Sequence, residues 1–262
     1  MGFKRTKLPI SSGQKQPLSG LLISVELYHR RPPEQQCLEA VERPEGFVAL
    51  KCVNRTCPAK SANQIKQHAI ANLDKLLVEF EQNIAARGAT VLYAKDAAEA
   101  NRMVLEIAEE HDVKTVVKSK SMVTEEMELN HSFEAAGIRA VETDLGEYIV
   151  QLAHQRPTHI VTPALHLSAA DVGKIFEKEL NEPFSAEHQH LTQVARDHLR
   201  QEYLEADMGM SGVNFAIADT GTLAIVENEG NVGLSTSTPP VHVALIGIEK
   251  MLPKIDYLPV FL

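Results

Sequence analysis

The sequence predicts an α/β protein: a mostly parallel sheet with helices on both faces, finished by a mixed C-terminal hairpin region. Three observations predict it. From residue 90 onward, short β-branched runs alternate with amphipathic segments, the pattern of a parallel sheet buried on both sides. Capping signals recur where the amphipathic segments begin, at Asp96/Glu99, Asp144/Glu147 and Ser168/Asp171. Near the end, two apolar runs flank the turn residues Asp219-Thr220-Gly221, which suits a hairpin or β-arch. With 44% hydrophobic and 23% charged residues, the 262-residue chain has a globular composition, which excludes disordered, collagenous and coiled-coil classes.

In chain order, residues 1–62 show no sustained period and are punctuated by Pro32-Pro33, Pro44 and Pro58, so they read as an irregular or disordered arm ahead of a domain at 63–262. From Gln64, the residues Ile65, Ala69, Leu73, Leu76, Leu77, Phe80 and Ile84 share one helical face, and Gly88 is the stop. A strand follows at Thr90 to Tyr93, then a helix capped by Asp96 whose inner face includes Ala100, Val104 and Ile107. Thr115-Val116-Val117 is a short strand, Thr124 to Ala136 a helix ended by Gly137, and Arg139 to Glu142 a strand. Asp144 and Glu147 open a helix by capping-box logic, and His159 to Thr162 is the next strand. Helices then start at Ser168 and run from about His188 to Leu204. Strands follow at Phe215 to Ala218, Leu223 to Val226 and Val241 to Ile246.

Charge divides the chain in the same place. The net charge is −9, with 26 basic and 35 acidic residues. The first 60 residues carry about +5 and the remainder about −14, so no overall basic field favours nucleic acid. All three cysteines (Cys37, Cys52, Cys57) lie in the basic part. Three in so long a chain form no disulfide framework, and their spacing fits neither a zinc knuckle nor a four-iron site, which points to a reducing, cytoplasmic compartment. No apolar run reaches bilayer-spanning length.

Ligands of open α/β sheets sit beyond the carboxyl ends of strands, so the residues just after each strand are the candidates. Lys118-Ser119-Lys120-Ser121 puts two ammonium groups and two hydroxyls at a strand end beside a helix start, a place for a phosphate or carboxylate; the alternative is solvated lysines and a serine that only caps. Of Glu142, Asp144 and Glu147, the latter two already have a capping role, which leaves Glu142 as the better acid or base. His166 follows Pro163 at a strand end, as a catalytic histidine or a merely hydrogen-bonded one. Thr220-Gly221-Thr222 and Asn228-Glu229-Gly230 read either as ligand-approaching glycine loops or as plain turns. His188, His190 and His198 lack an acidic or cysteine partner at ligand spacing and read as a solvated face, so no metal site is expected.

Several runs together resemble the LUD domain of the lactate utilisation protein B family. They are Val117-Lys118-Ser119-Lys120-Ser121-Met122-Val123, Leu129-Asn130-His131, Glu142-Thr143-Asp144-Leu145-Gly146-Glu147-Tyr148-Ile149 and Thr158-His159-Ile160-Val161 with Pro163-Ala164-Leu165-His166. Further on come Gly212-Val213-Asn214-Phe215-Ala216, Thr220-Gly221-Thr222, Asn228-Glu229-Gly230-Asn231, Val241-His242 and Gly247-Ile248-Glu249-Lys250. The resemblance spans about residues 64 to 256. It implies a NagB/RpiA/CoA-transferase-like fold and a part in oxidising L-lactate to pyruvate with partner subunits in the bacterial cytoplasm. Such proteins continue into a domain holding four-iron clusters, whereas no cysteine follows Cys57 here. The expectation is therefore a LUD portion without clusters of its own. On this reading Lys118, Ser119, Lys120, Ser121, Thr220, Gly221, Thr222, Asn228 and Gly230 surround a small carboxylate or phosphorylated ligand, with Glu142, His166 and Glu229 as its catalytic groups. A non-catalytic scaffold for an iron–sulfur partner and an acyl-transfer enzyme using the Glu227-Asn228-Glu229-Gly230 loop are the alternatives.

Overall fold

A computed structural model describes residues 21–27, 58–119, 121–158 and 162–262, with side chains from residue 61 onward. The strands are β1 Leu21–Leu27, β2 Thr90–Ala94, β3 Thr115–Lys118, β4 Arg139–Glu142, β5 Met208–Gly212, β6 Phe215–Ile217, β7 Thr222–Ala224, β8 Val241–Gly247 and β9 Met251–Leu252. The α-helices are α1 Pro58–Ala71, α2 Leu73–Ala85, α3 Ala97–Glu110, α4 Met122–Glu126, α5 Leu129–Ala135, α6 Leu145–Leu152, α7 Ala169–Leu180, α8 His188–Glu205 and α9 Asn231–Ser237.

Six strands form the main sheet in the order β2-β1-β8-β5-β3-β4. Four of them, β8, β5, β3 and β4, are parallel, while β1 runs antiparallel to both β2 and β8. The second sheet, β7-β6-β9, joins the expected antiparallel hairpin β6–β7 to a parallel β9. The mixed α/β architecture therefore matches the expectation, with helices over a parallel centre.

Both faces of the main sheet are buried, as the alternation of its strands requires. Val116, Met208, Met210, Val243 and Leu245 pack with Ala100, Val104 and Ile107 of α3 and Phe133 of α5. The intervening residues turn the other way: Ala244 and Ile246 meet Leu77, Phe80 and Ile84 of α2, and Val117 and Val141 meet Ile149, Phe176 and Leu199 of α6, α7 and α8. Gly209 is required by this packing, because a Cβ there would lie 1.8 Å from the Ser235 carbonyl oxygen of α9.

Local chemistry explains the helix starts. Asp96 accepts from the Glu99 amide, Asp144 from the Gly146 and Glu147 amides, and Ser168 forms a full capping box with Asp171. Two expected helices are each divided. The first breaks at Asn72, between α1 and α2; the second breaks at Glu128, which adopts left-handed φ 51 between α4 and α5.

The start of the chain differs most from expectation. Residues 1–62 were expected to lack regular structure, yet Leu21–Leu27 form a strand inside the main sheet and α1 begins at Pro58. The physical reason is that a central strand needs only a short apolar run, and seven residues flanked by polar and proline-rich sequence show no period longer than themselves. The remainder of that stretch, including the three cysteines, and most of the strand expected at His159 to Thr162 lie outside the described residues.

Candidate functional site

Parallel register brings the chemistry together. β3 and β4 pair with Lys118 opposite Glu142, so the last residues of two neighbouring strands deliver an ammonium and a carboxylate to the same point at the carboxyl edge of the sheet. Lys118 Nζ lies 2.7 Å from Glu142 Oε1, and the two side chains are only 1% and 9% exposed. The ammonium also donates to Thr124 Oγ1 at 3.1 Å. Asn130 Nδ2 donates to the same Glu142 oxygen at 2.7 Å. A buried pair of this kind persists only where further hydrogen bonds complete it, which Thr124 and Asn130 supply.

The surrounding backbone is fixed by five side chains. Ser119 donates through both its amide and its hydroxyl to the Met210 carbonyl of β5. Ser121 caps α4, accepting from the Thr124 amide, while the Thr124 hydroxyl donates to the Ser121 carbonyl. Thr143 Oγ1 donates to the Lys118 carbonyl at 3.0 Å. Gln151 accepts from the Glu142 amide and donates to the Ala140 carbonyl, tying α6 to β4.

Glu147 changes the electrostatics of this cluster. Capping-box logic assigned it to the start of α6, but Asp144 alone caps that helix, and Glu147 is buried, 5% exposed, among other carboxylates. Burial pushes its pKa up to about 9, helped by the Glu142 charge, by a hydrogen bond to Glu125 and by the charges of Glu125 and Asp144. Two carboxyl groups share a hydrogen bond only when one holds a proton, and the upward shift of Glu147 assigns it to that side chain. Three oxygens of the cluster, Glu142 Oε2, Glu147 Oε2 and Asn130 Oδ1, are buried without a hydrogen-bond partner. Such orphaned acceptors mark a place where a proton or a donor is wanted.

The other candidate residues divide between this edge and elsewhere. Glu229 Oε2 accepts from the Leu145 amide at 3.3 Å, which brings the 227–230 loop onto the start of α6, beside Asp144 and Glu147. Gly230, at φ 77, is the left-handed residue from which α9 starts, and Asn228 is exposed. His166 is exposed and bonded locally: Nδ1 to Thr158 Oγ1 at 3.0 Å and Nε2 to Gln155 Oε1 at 2.7 Å. Its loop nonetheless leans on the same helix start, since a Cβ on Gly146 would lie 3.0 Å from Pro163.

Thr220-Gly221-Thr222 serves the β6–β7 turn and packs on α2 instead. A Cβ on Gly221 would lie 2.4 Å from the Ile84 nitrogen, and Asn83 Nδ2 donates to the adjacent Ala218 and Asp219 carbonyls. Lys120 lies outside the described residues. His188 and His190 are exposed, and His198 is paired with Glu182 at 3.1 Å. Among the described residues no group of three or more histidine, cysteine, aspartate or glutamate side chains could hold a metal ion. Nor is any helix of the described residues long and apolar enough to cross a membrane.

Of the residues gathered at this edge, sequence reasoning named Lys118 and Glu142 as candidates, set Glu147 aside as a cap, and did not propose Thr124, Asn130 or Glu125. The signal for Glu147 was present as a third carboxylate within six residues; the cap spacing explained it away.

A profile of the LUD domain matches residues 77–261. Over 198 residues the chain is 43% identical to the lactate utilization protein B of Bacillus pumilus (strain SAFR-032), covering 75% of this chain and 42% of that protein. It is 44% identical to the protein of the same name from Geobacillus kaustophilus (strain HTA426), covering 74% and 41%. Against that of Macrococcus caseolyticus (strain JCSC5402) it is 43% identical, covering 73% and 40%. The chain thus spans less than half the length of these relatives. No solved structure is significantly similar to it.

Proposed function

Since the chain belongs to the LUD domain family, we propose that it acts in lactate utilisation, as a component of a cytoplasmic assembly that oxidises L-lactate to pyruvate. The observation that carries this reading is the identity of over 40% to lactate utilization protein B along three quarters of the chain. The site that serves it is the carboxyl edge of β3 and β4, where Lys118 meets a small monocarboxylate and Glu142 and Glu147 manage its proton. Glu229 and the start of α6 form the rim. Four-iron clusters, which this reading places in another part of the assembly, would supply the electron-transfer chemistry.

The test is growth on L-lactate as sole carbon source after deletion of the gene. Loss of growth, restored by the wild-type gene and not by one encoding Lys118→Met, is the expected result. Undiminished growth of the deletion strain overturns the reading.

One observation favours a second reading, a docking scaffold for an iron–sulfur partner. A groove of about 250 Å³ between α6, α7 and α8 is lined by Leu145, Ile149, Val172, Phe176 and Leu191. The scaffold reading expects co-purification with partner subunits from lactate-grown cells and no response to L-lactate or pyruvate. Heat of binding from either compound rejects it.

A further inference from the structure

A groove of about 650 Å³ runs along α3 toward the end of α5, over the residues that enter β3 and β4 at the amino edge of the sheet, away from Lys118. Its floor is apolar, from Leu105, Val113 and Ile138. Its rim is charged, from Arg102, Glu106, Glu109 and Asp112. Residues 96–112, the helix and its ends, carry six acids against one arginine. Arg102 is already paired with Glu99 and Glu106, and Lys114 with Asp112, whereas Glu109 and Glu110 have no ion pair among the described residues. Asn101 lines the groove as well; its Nδ2 donates to the Met127 carbonyl, and its buried Oδ1 accepts no hydrogen bond. An apolar floor, an acidic rim and an orphaned acceptor suit an occupant that is apolar, cationic and rich in donors.

One segment of this chain has that chemistry. Residues 1–20, which lie outside the described residues, hold Lys4, Arg5, Lys7 and Lys15 and no acid, and the first three of these cations stand beside Phe3, Leu8 and Ile10. The segment joins the fold at Leu21, which pairs with Ala94, three residues before α3 begins at Ala97. It therefore meets the fold at the end of α3 where Ala98 opens the groove. With 14 residues, α3 is about 21 Å long. Residues 11–20 can span up to about 33 Å, so residues 3–10 can reach any point along the helix. We propose that residues 3–10 dock in the groove between α3 and α5 of their own chain, their apolar residues covering the floor and their cations meeting the acidic rim. Tethering sets an effective concentration on the order of millimolar, at which even weak contacts keep the groove occupied. The docked segment closes the groove to other chains.

The test is zero-length carbodiimide cross-linking of the full chain at low ionic strength, read by mass spectrometry. Lys4 and Lys7 should join Glu106, Glu109 or Asp112. Links from these lysines to Glu227 or Glu229 at the opposite edge instead, or no links at all, overturn the proposal. Repeating the reaction on a mixture of isotope-labelled and unlabelled chain separates the two possible sources of the segment. Links that carry both labels place it on a second copy and reject docking within one chain. Trypsin then reads occupancy: cleavage after Lys4, Arg5 and Lys7 should be at least about tenfold faster in Glu106→Lys/Glu109→Lys than in wild type. Equal rates at low salt overturn the proposal. In about 1 M salt, where the Debye length is ~3 Å, the difference should shrink severalfold, and an undiminished difference rejects the acidic rim as the seat of the cations. Both substituted side chains reach solvent, and circular dichroism checks the fold of the variant. If it does not fold, the cross-links in wild type decide alone.

Discussion

Replacing Glu147 by glutamine isolates the stability cost of a buried acid. The glutamine keeps the shape of the neutral carboxyl and can still donate to Glu125, but it cannot ionise. In the wild type, the folded-state pKa of Glu147 is about 9 against an ordinary value of 4.5. Between these two values the folded protein holds a proton that the unfolded chain has released. The stability contributed is complete below the unfolded value and is lost as pH rises through the folded one. Each pH unit in this window removes up to about 1.4 kcal/mol, so the step from about pH 5 to about pH 8 removes on the order of 4 kcal/mol. That is a large part of the ~5–15 kcal/mol that holds a typical domain folded. Urea unfolding followed by circular dichroism, at unit pH steps for both proteins, gives the comparison. Glu147→Gln should match wild type near pH 5 and exceed it progressively toward pH 8. Parallel pH profiles for the two proteins would falsify the placement of a neutral acid at this position.

Three further outcomes are expected. Lys118→Met leaves Glu142 buried without its cation and should cost about 3–5 kcal/mol in urea unfolding, while Lys118→Met/Glu142→Leu should recover most of the loss. Equal stability of single and double variants would show that the pair is not coupled. Gly221→Ala sets a Cβ 2.4 Å from the Ile84 nitrogen at φ 60, and backbone atoms of α2 cannot give way, so the melting temperature should drop with a loss of about 2 kcal/mol or more. An unchanged melting temperature contradicts the turn's seat on α2. Ile23→Pro removes an amide from a strand paired on both sides, at Leu92 and at Leu245. It should cost about 3 kcal/mol and strip hydrogen-exchange protection from β8. Retained protection there would deny β1 its place.

Much of the fold was legible because its signals are local. Asp96, Asp144 and Ser168 each cap within three residues, and the β-branched run Thr115-Val116-Val117 is a strand by itself. What depends on distant neighbours was not. β1 shows no visible period because it is only seven residues long, and the partners that make it a strand, β2 and β8, lie far along the chain. The break at Glu128 is a single left-handed residue with no glycine to announce it. Lys118 was recognised as a strand-end cation, but its pairing with Glu142 follows from β3 and β4 being neighbours in register, which no single segment reveals. Glu147 sits at a spacing that serves equally for a cap and for burial against Glu142, and only the carboxyl groups that gather around it, Glu142 of β4 and Glu125 of α4, choose between them.

The position of β8 between β1 and β5 also sets an order of events on the ribosome. β8 follows the other five strands of its sheet in sequence, and until it emerges the β2–β1 pair and the β5-β3-β4 group have no strand to join them. Each half then presents an open edge, the kind of surface on which nascent chains mispair. A pairing that spans nearly the whole chain is also slow to form. The interval of greatest exposure therefore lasts until Val241–Gly247 enters the sheet, and that one strand turns two unfinished halves into one folded body.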